Sequence, residues 1–127
     1  MGTRYLLDTN VVLDFMGKKL PAKSQSFLSE IVDTEINISA INKIELLGFS
    51  FVEQTIIDFI SFAKVYPIND ETIEKTIDLR KKYKLKLPDT IIAATAIIND
   101  FILITHNVKD FQKITEMQII DSHTILC

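Results

Sequence analysis

The sequence predicts an α/β fold in which a central parallel sheet is covered by helices on both faces. Three observations support this class. Short apolar runs alternate with longer segments of helical periodicity, the first of these runs is apolar after Arg4, and the small numbers of glycines and prolines, three of each, leave little room for long irregular connections. The chain has 127 residues, of which 47% are hydrophobic and 24% are charged. We therefore expect one domain over residues 1–127 with four or five strands.

The first strand and helix are predicted from the opening residues. Residues 4–7 form a short apolar run that ends at Asp8, which is typical of a buried strand. Thr9 and Asn10 can then cap a short helix over 11–16, and a glycine follows that helix and ends it.

The other elements follow from periodicity and capping. Ser39 can cap a helix over 40–49. The helix that begins at Pro88 is apolar on nearly all sides, which predicts a central position. The remaining predictions are helices over 21–33, 52–63 and 70–83, and strands over 36–39, 65–68, 101–104 and 117–120.

Polar side chains follow two of the predicted strands. Asp8 comes directly after the first strand, and Thr105 comes directly after the fourth. In open α/β sheets, ligands bind beyond the carboxyl ends of the strands, so these residues indicate one crevice. The alternative for Asp8 is a turn residue that accepts hydrogen bonds from nearby backbone amides.

Two further carboxylates lie on predicted helices. Glu45 is flanked at helical spacing by Ile41, Gly48 and Phe49, and a carboxylate within a buried apolar stripe requires a metal ion or a basic partner. Asp89 begins the central helix, where the alternative role is stabilisation of the helix dipole by about 0.3 to 1 kcal/mol.

A polar segment after the fourth strand adds the oxygen donors Thr105, Asn107 and Asp110, or else forms an ordinary polar loop. Carboxylates gathered in one crevice repel each other by about 4 kcal/mol per pair at about 4 Å and an effective dielectric near 20. Protons or a divalent cation must offset this repulsion. A set of oxygen ligands without Cys or His favours Mg²⁺ or Mn²⁺.

At these positions the sequence resembles the PIN-domain nucleases, and within them the VapC-type toxins of prokaryotes. The matching segments are 5–11, 44–46, 87–96 and 105–111. The resemblance implies a three-layer α/β/α fold and metal-dependent hydrolysis of RNA phosphodiester bonds.

The resemblance also implies a set of site residues. Asp8, Glu45 and Asp89 would bind one or two Mg²⁺ or Mn²⁺ ions. Asn107 stands where many members carry Asp, and its side-chain carbonyl can still bind metal but adds no charge. Asp110 is the candidate for the fourth catalytic carboxylate, or else it supports the ligands from outside the metal's coordination sphere. The supporting residues are Thr9, Asn10, Thr105 and Asn107.

The same family implies partners. VapC-type toxins are held by an antitoxin protein and commonly form homodimers, and Phe49, Phe51, Phe59 and Phe62 are candidates either for such an interface or for the core. An alternative function is a PIN fold that binds RNA or protein without turnover. A receiver-like signalling domain fits poorly, because the first strand is followed by one acid and not by a pair.

Charge and composition bear on the substrate and the location. The net charge of -3 argues weakly against a nucleic-acid binder, although basic clusters at Lys18–Lys23 and Arg80–Lys86 could contact phosphates. Metal-independent ribonucleases often use a histidine pair for acid–base catalysis, but His106 and His123 match no motif of the family, so we do not expect either to be catalytic. The lone cysteine, Cys127, and the lack of a signal or membrane segment lead us to expect a cytoplasmic protein.

Overall fold

The computed structural model describes residues 2–125, so Cys127 lies outside the described residues. Strands and helices alternate along this range. The strands are β1 (Tyr5–Leu7), β2 (Asn37–Ser39), β3 (Lys64–Tyr66), β4 (Ile102–Thr105) and β5 (Ile119–Asp121). The helices are α1 (Thr9–Met16), α2 (Ala22–Thr34), α3 (Ala40–Leu47), α4 (Gln54–Ser61), α5 (Asp70–Lys82), α6 (Leu87–Ile98) and α7 (Val108–Phe111).

All paired strands are parallel, which confirms the predicted fold class. The backbone hydrogen bonds form two ladders, one in the order β1-β4-β5 and one between β2 and β3. The strand β2 lies against β1, where the buried Asn37 side chain donates from Nδ2 to the Tyr5 carbonyl oxygen over 3.1 Å. A side-chain hydrogen bond therefore joins the two ladders, and the expected sheet is divided between β1 and β2.

The hydrophobic core lies on both sides of the strands. Leu6 and Leu7 are both buried but belong to different core clusters, because successive side chains of a strand point to opposite faces. The prediction of a central helix is confirmed, since α6 is buried from Ile92 to Ala96. Among the described residues, no helix combines the length and the apolar character needed to cross a membrane.

The predicted elements agree with the structure in type and differ mainly at their ends. The helix α1 begins at Thr9, because Asp8 is its N-cap and not Thr9 or Asn10 as expected. The helix α3 ends at Leu47, before the predicted end, because a glycine occupies its C-cap. The short helix α7 (Val108–Phe111) forms where a polar loop was the alternative.

Candidate active site

Asp8 is fixed by donors from three different elements. Its side chain accepts from the Thr9 backbone N–H over 2.9 Å, from Thr105 Oγ1 over 2.8 Å and from Asn42 Nδ2 over 3.4 Å. The carboxylate is buried, and burial raises its pKa above the usual value. The hydrogen bonds from Thr105 and Thr9 oppose that shift, whereas the nearby charge of Glu45 adds to it. Asp8 is therefore both a helix cap and an immobilised carboxylate.

Glu45 reaches the same place from α3. Thr9 Oγ1 donates to Glu45 Oε1, and Asn42 Nδ2 donates to Thr9 Oγ1 over 3.0 Å. The expectation of a buried apolar stripe around Glu45 was wrong, because Glu45, Gly48 and Phe49 are exposed. These residues border an open cavity instead of packing into the core, so the position of Glu45 needs no buried basic partner.

Asn42 is a site residue that the sequence analysis missed. Its Oδ1 accepts from the Ser39 backbone N–H, and its backbone N–H donates to Ser39 Oγ, so the two residues form a capping box at the start of α3. This leaves Asn42 Nδ2 directed at Asp8 and Thr9. The sequence feature that could have identified Asn42 is its spacing, because it lies three positions after the cap residue Ser39 and three before Glu45, on the same helical face.

Asp89 has a strongly raised pKa. It lies in the first turn of α6 and is half-buried. Burial, followed by the charges of Asp8, Asp110 and Glu45, raises its pKa to about 6, and Lys86 opposes the shift. A residue that served only to stabilise the helix dipole would have its pKa lowered, so burial together with repulsion from the neighbouring carboxylates outweighs the dipole here.

The three carboxylates line one cavity of about 530 Å³. Thr9 and Asn10 also line it, and the sequence placed both among the supporting residues. The rest of the lining is Leu13, Ile44, Gly48, Phe49 and Asn107. No lysine or arginine is among these lining residues, so the set offers oxygen ligands with excess negative charge, which fits a hard divalent cation.

The two candidates for the fourth site residue, Asn107 and Asp110, occupy different places. Asn107 lines the cavity, and its backbone N–H donates to Thr105 Oγ1 over 2.9 Å. Its Nδ2 donates to Asp110 Oδ2 over 2.6 Å, while Asp110 lines a neighbouring cleft of about 190 Å³ that also includes Asp89. Asp110 thus does not line the main cavity, and its charge acts on Asp89, whose pKa it helps to raise.

A family model for the PIN domain matches residues 5–117. This chain belongs to the PIN domain family. The resemblance inferred from the sequence is thereby confirmed, and the match includes Asp8, Glu45, Asp89 and Asp110. No curated protein matches the chain at a significant level.

Solved structures with the same fold come from several bacteria. A toxin–antitoxin complex from Klebsiella pneumoniae is 30% identical with a TM-score of 0.73, and the match covers 95% of this chain and 99% of that one. VapBC-1 from nontypeable Haemophilus influenzae is 26% identical with a TM-score of 0.75, covering 96% of this chain and 100% of the other. VapBC2 from Rickettsia felis, bound to a promoter DNA fragment, has a TM-score of 0.76 at 24% identity, covering 93% and 98%.

Basic side chains of this PIN domain lie beside the acidic cavity. The cleft that contains Asp89 and Asp110 is otherwise lined by one leucine and four lysines, namely Lys84, Lys86, Lys109 and Lys113. Lys82, from the predicted basic cluster, instead forms ion pairs with Asp78 and Glu116. The positive charge in this cleft therefore comes partly from the predicted cluster Arg80–Lys86 and partly from Lys109 and Lys113, which were not predicted to contribute, and no lysine of Lys18–Lys23 lines it.

The four phenylalanines divide between surface and core. Phe49, Phe51 and Phe62 are exposed, and Phe49 together with Ile44 forms the apolar rim of the cavity. Phe59 packs against the core cluster that includes Leu7. The PIN domain thus presents an apolar surface next to its carboxylates.

Proposed function

We propose that this chain is a metal-dependent endoribonuclease that acts as the toxin of a VapBC-type pair. The observation that supports it most strongly is the convergence of Asp8, Glu45 and Asp89, from three separate elements, on one open cavity whose lining contains no basic residue. Like charges held together in this way are stable only with a counter-ion or a proton.

Asp8, Asp89 and Glu45 would hold Mg²⁺ or Mn²⁺. When bound, such an ion supplies a nucleophilic water near neutral pH and neutralises charge that develops on the phosphate. Asp8 would serve as the rigid ligand, because Thr105 and Thr9 fix its two oxygens. Glu45 accepts from Thr9 through Oε1 and is exposed, so it would orient the attacking water or ligate the ion through that water.

The hydrogen-bonded network prepares the site before substrate arrives. Asn42 and Thr9 connect Asp8 with Glu45, so the two carboxylates keep their relative position without relying on solvent. Such pre-organised ligands lower the cost of binding a cation and of aligning water with the phosphorus.

RNA is the proposed substrate because the acidic cavity adjoins a lysine-lined cleft. Lys84, Lys86, Lys109 and Lys113 can contact backbone phosphates on one side of the scissile bond. This local arrangement would allow a chain with a net charge of -3 to bind a nucleic acid. We also propose that the protein acts in the cytoplasm.

An antitoxin is the proposed protein partner, and a homodimer is the proposed assembly. The structural neighbours include toxin–antitoxin complexes, of which the one from Klebsiella pneumoniae is 30% identical to this chain. Ile44, Phe49 and Phe51 are 64%, 54% and 80% exposed, and an antitoxin segment covering them would also block the cavity.

The decisive experiment is cleavage of a panel of labelled tRNAs and structured RNAs in EDTA, Mg²⁺ and Mn²⁺. The variants are Asp8→Asn and Asp89→Asn, and the control is Glu74→Gln, which neutralises an exposed carboxylate on α5 away from the cavity. We expect cutting that requires the metal, is lost in both site variants and is retained in the control.

Two other outcomes would redirect the proposal. Metal and RNA binding without cutting of any substrate would favour the PIN-fold binding module as the function. Cutting that survives EDTA and both substitutions would exclude the carboxylate mechanism.

A further inference from the structure

A second cluster of ligand-type side chains lies outside the carboxylate cavity. His106, Asp121 and His123 each offer one ligand atom, and these three atoms lie within 4.8 Å of one another. His106 follows β4, whereas Asp121 ends β5 and His123 follows it. None of the three lines the carboxylate cavity. The cluster therefore requires its own explanation.

The contacts within the cluster are close and specific. His106 Nδ1 lies 3.1 Å from Asp121 Oδ1, and the rings of His106 and His123 lie with centroids 3.7 Å apart. The backbone N–H of His123 donates to Asp121 Oδ1 over 2.9 Å. Asp14 Oδ2, on α1, lies 3.7 Å from His123 Nε2 and brings a second carboxylate to the group. Both histidines of the chain are thus gathered at this one place.

We propose that His106, Asp121 and His123 form a second cation site, selective for a borderline transition metal such as Zn²⁺, with Asp14 beside it. Imidazole nitrogen favours Zn²⁺, Co²⁺ or Ni²⁺, whereas the carboxylate cavity, which has only oxygen donors, favours Mg²⁺ or Mn²⁺. The two sites therefore differ in chemistry as well as in position, and this inference does not depend on the proposed nuclease activity.

The geometry is compatible with such an ion after small side-chain movements. Ligands about 2.0 to 2.2 Å from Zn²⁺ in a tetrahedral site are separated by about 3.3 Å from each other. The three ligand atoms already lie within 4.8 Å of one another, so each separation must shrink by about 1.5 Å at most, with rotation of the rings towards the ion. His106 is exposed, and Asp121 and His123 are partly exposed, so rotation is possible and water can complete the coordination.

The site joins segments that are distant in the sequence. Asp14 lies on α1, and His106 lies directly after β4. Asp121 is the last residue of β5, and His123 follows it two positions later. An ion held between them would restrict all three and stabilise the folded state by mass action. His106 lies between Thr105, which donates to Asp8, and Asn107, so this ion would also order the segment that supports the carboxylate site.

The test is a Zn²⁺ titration followed by long-range ¹H–¹⁵N NMR of the imidazole rings. Because the chain has only two histidines, each ring signal is assigned by a single substitution. We expect both sets of ring signals to shift with Zn²⁺ and not with Mg²⁺, and the melting temperature to rise with Zn²⁺. His106→Asn, His123→Asn and Asp121→Asn should each weaken Zn²⁺ binding at least about 10-fold, the loss that even outer-shell partners produce.

Two controls separate this site from other ligands. The Asp8→Asn/Asp89→Asn double variant should keep the Zn²⁺-dependent ring shifts, and so should Cys127→Ser, which removes the only thiol of the chain. Near-UV circular dichroism without metal establishes that each variant is folded. Ring signals that do not move with Zn²⁺, or Zn²⁺ affinity that is unchanged in a folded His106→Asn/His123→Asn variant, would overturn the proposal.

Discussion

Replacement of Asp89 by Asn should stabilise the metal-free protein at alkaline pH. The pKa of Asp89 is raised from 3.8 to about 6, mainly by burial and then by neighbouring carboxylates. The folded state therefore binds the proton more tightly than the unfolded chain, and stability falls as pH rises from about 4 to about 6. Asn cannot ionise, so Asp89→Asn escapes this loss.

The size of the effect follows from the shift. Two pKa units correspond to about 3 kcal/mol for a fully buried group. Asp89 is only half-buried, so we discount this to about 1 kcal/mol for solvent screening. In EDTA at about pH 8, Asp89→Asn should raise the free energy of unfolding by that amount, and the gain should shrink at about pH 4.5.

Urea denaturation measures the free energy of unfolding and so tests this prediction. Glu74→Gln is the control, because Glu74 is an exposed carboxylate outside the cavity. Saturating Mg²⁺ should reverse the order, because the wild-type protein gains stability from the ion and the variant loses a ligand. Destabilisation by Asp89→Asn in EDTA at about pH 8, or an effect that does not change with pH, would show that burial and neighbouring carboxylates do not penalise the charged form of Asp89.

Three further substitutions test the supporting structure. Thr105→Val removes the hydroxyl that donates to Asp8 and should cost about 1 to 3 kcal/mol in urea denaturation, whereas Thr105→Ser should retain most of the stability. Asn42→Ala should weaken Mg²⁺ binding about 10- to 100-fold by isothermal titration calorimetry, and unchanged affinity would contradict its placement beside Asp8. Gly48→Ala should lower the melting temperature, because its Cβ would lie 2.5 Å from a backbone carbonyl of α3, whereas Gly2→Ala, which meets nothing within 4 Å, should not.

The sequence also left several aspects of the site undecided, and Glu45 illustrates the reason. Helical spacing placed its apolar neighbours on one face, but spacing alone does not show whether that face meets the core or an opening. The fold leaves Ile44, Gly48 and Phe49 at the cavity rim, so Glu45 is exposed. Asn42 was overlooked for a related reason, since its partners Asp8 and Thr9 are more than 30 positions away in the chain.

The sequence by itself determined the fold class, the order of the elements and the positions of three carboxylates. Local periodicity and capping specify helices and strands, and the ends of parallel strands indicate where a site opens. Only the tertiary structure decided that Asn107 lines the cavity while Asp110 lines the adjoining cleft, and that His106 meets Asp121 and His123. Such contacts depend on packing between segments that are distant in the chain, and no local pattern records them.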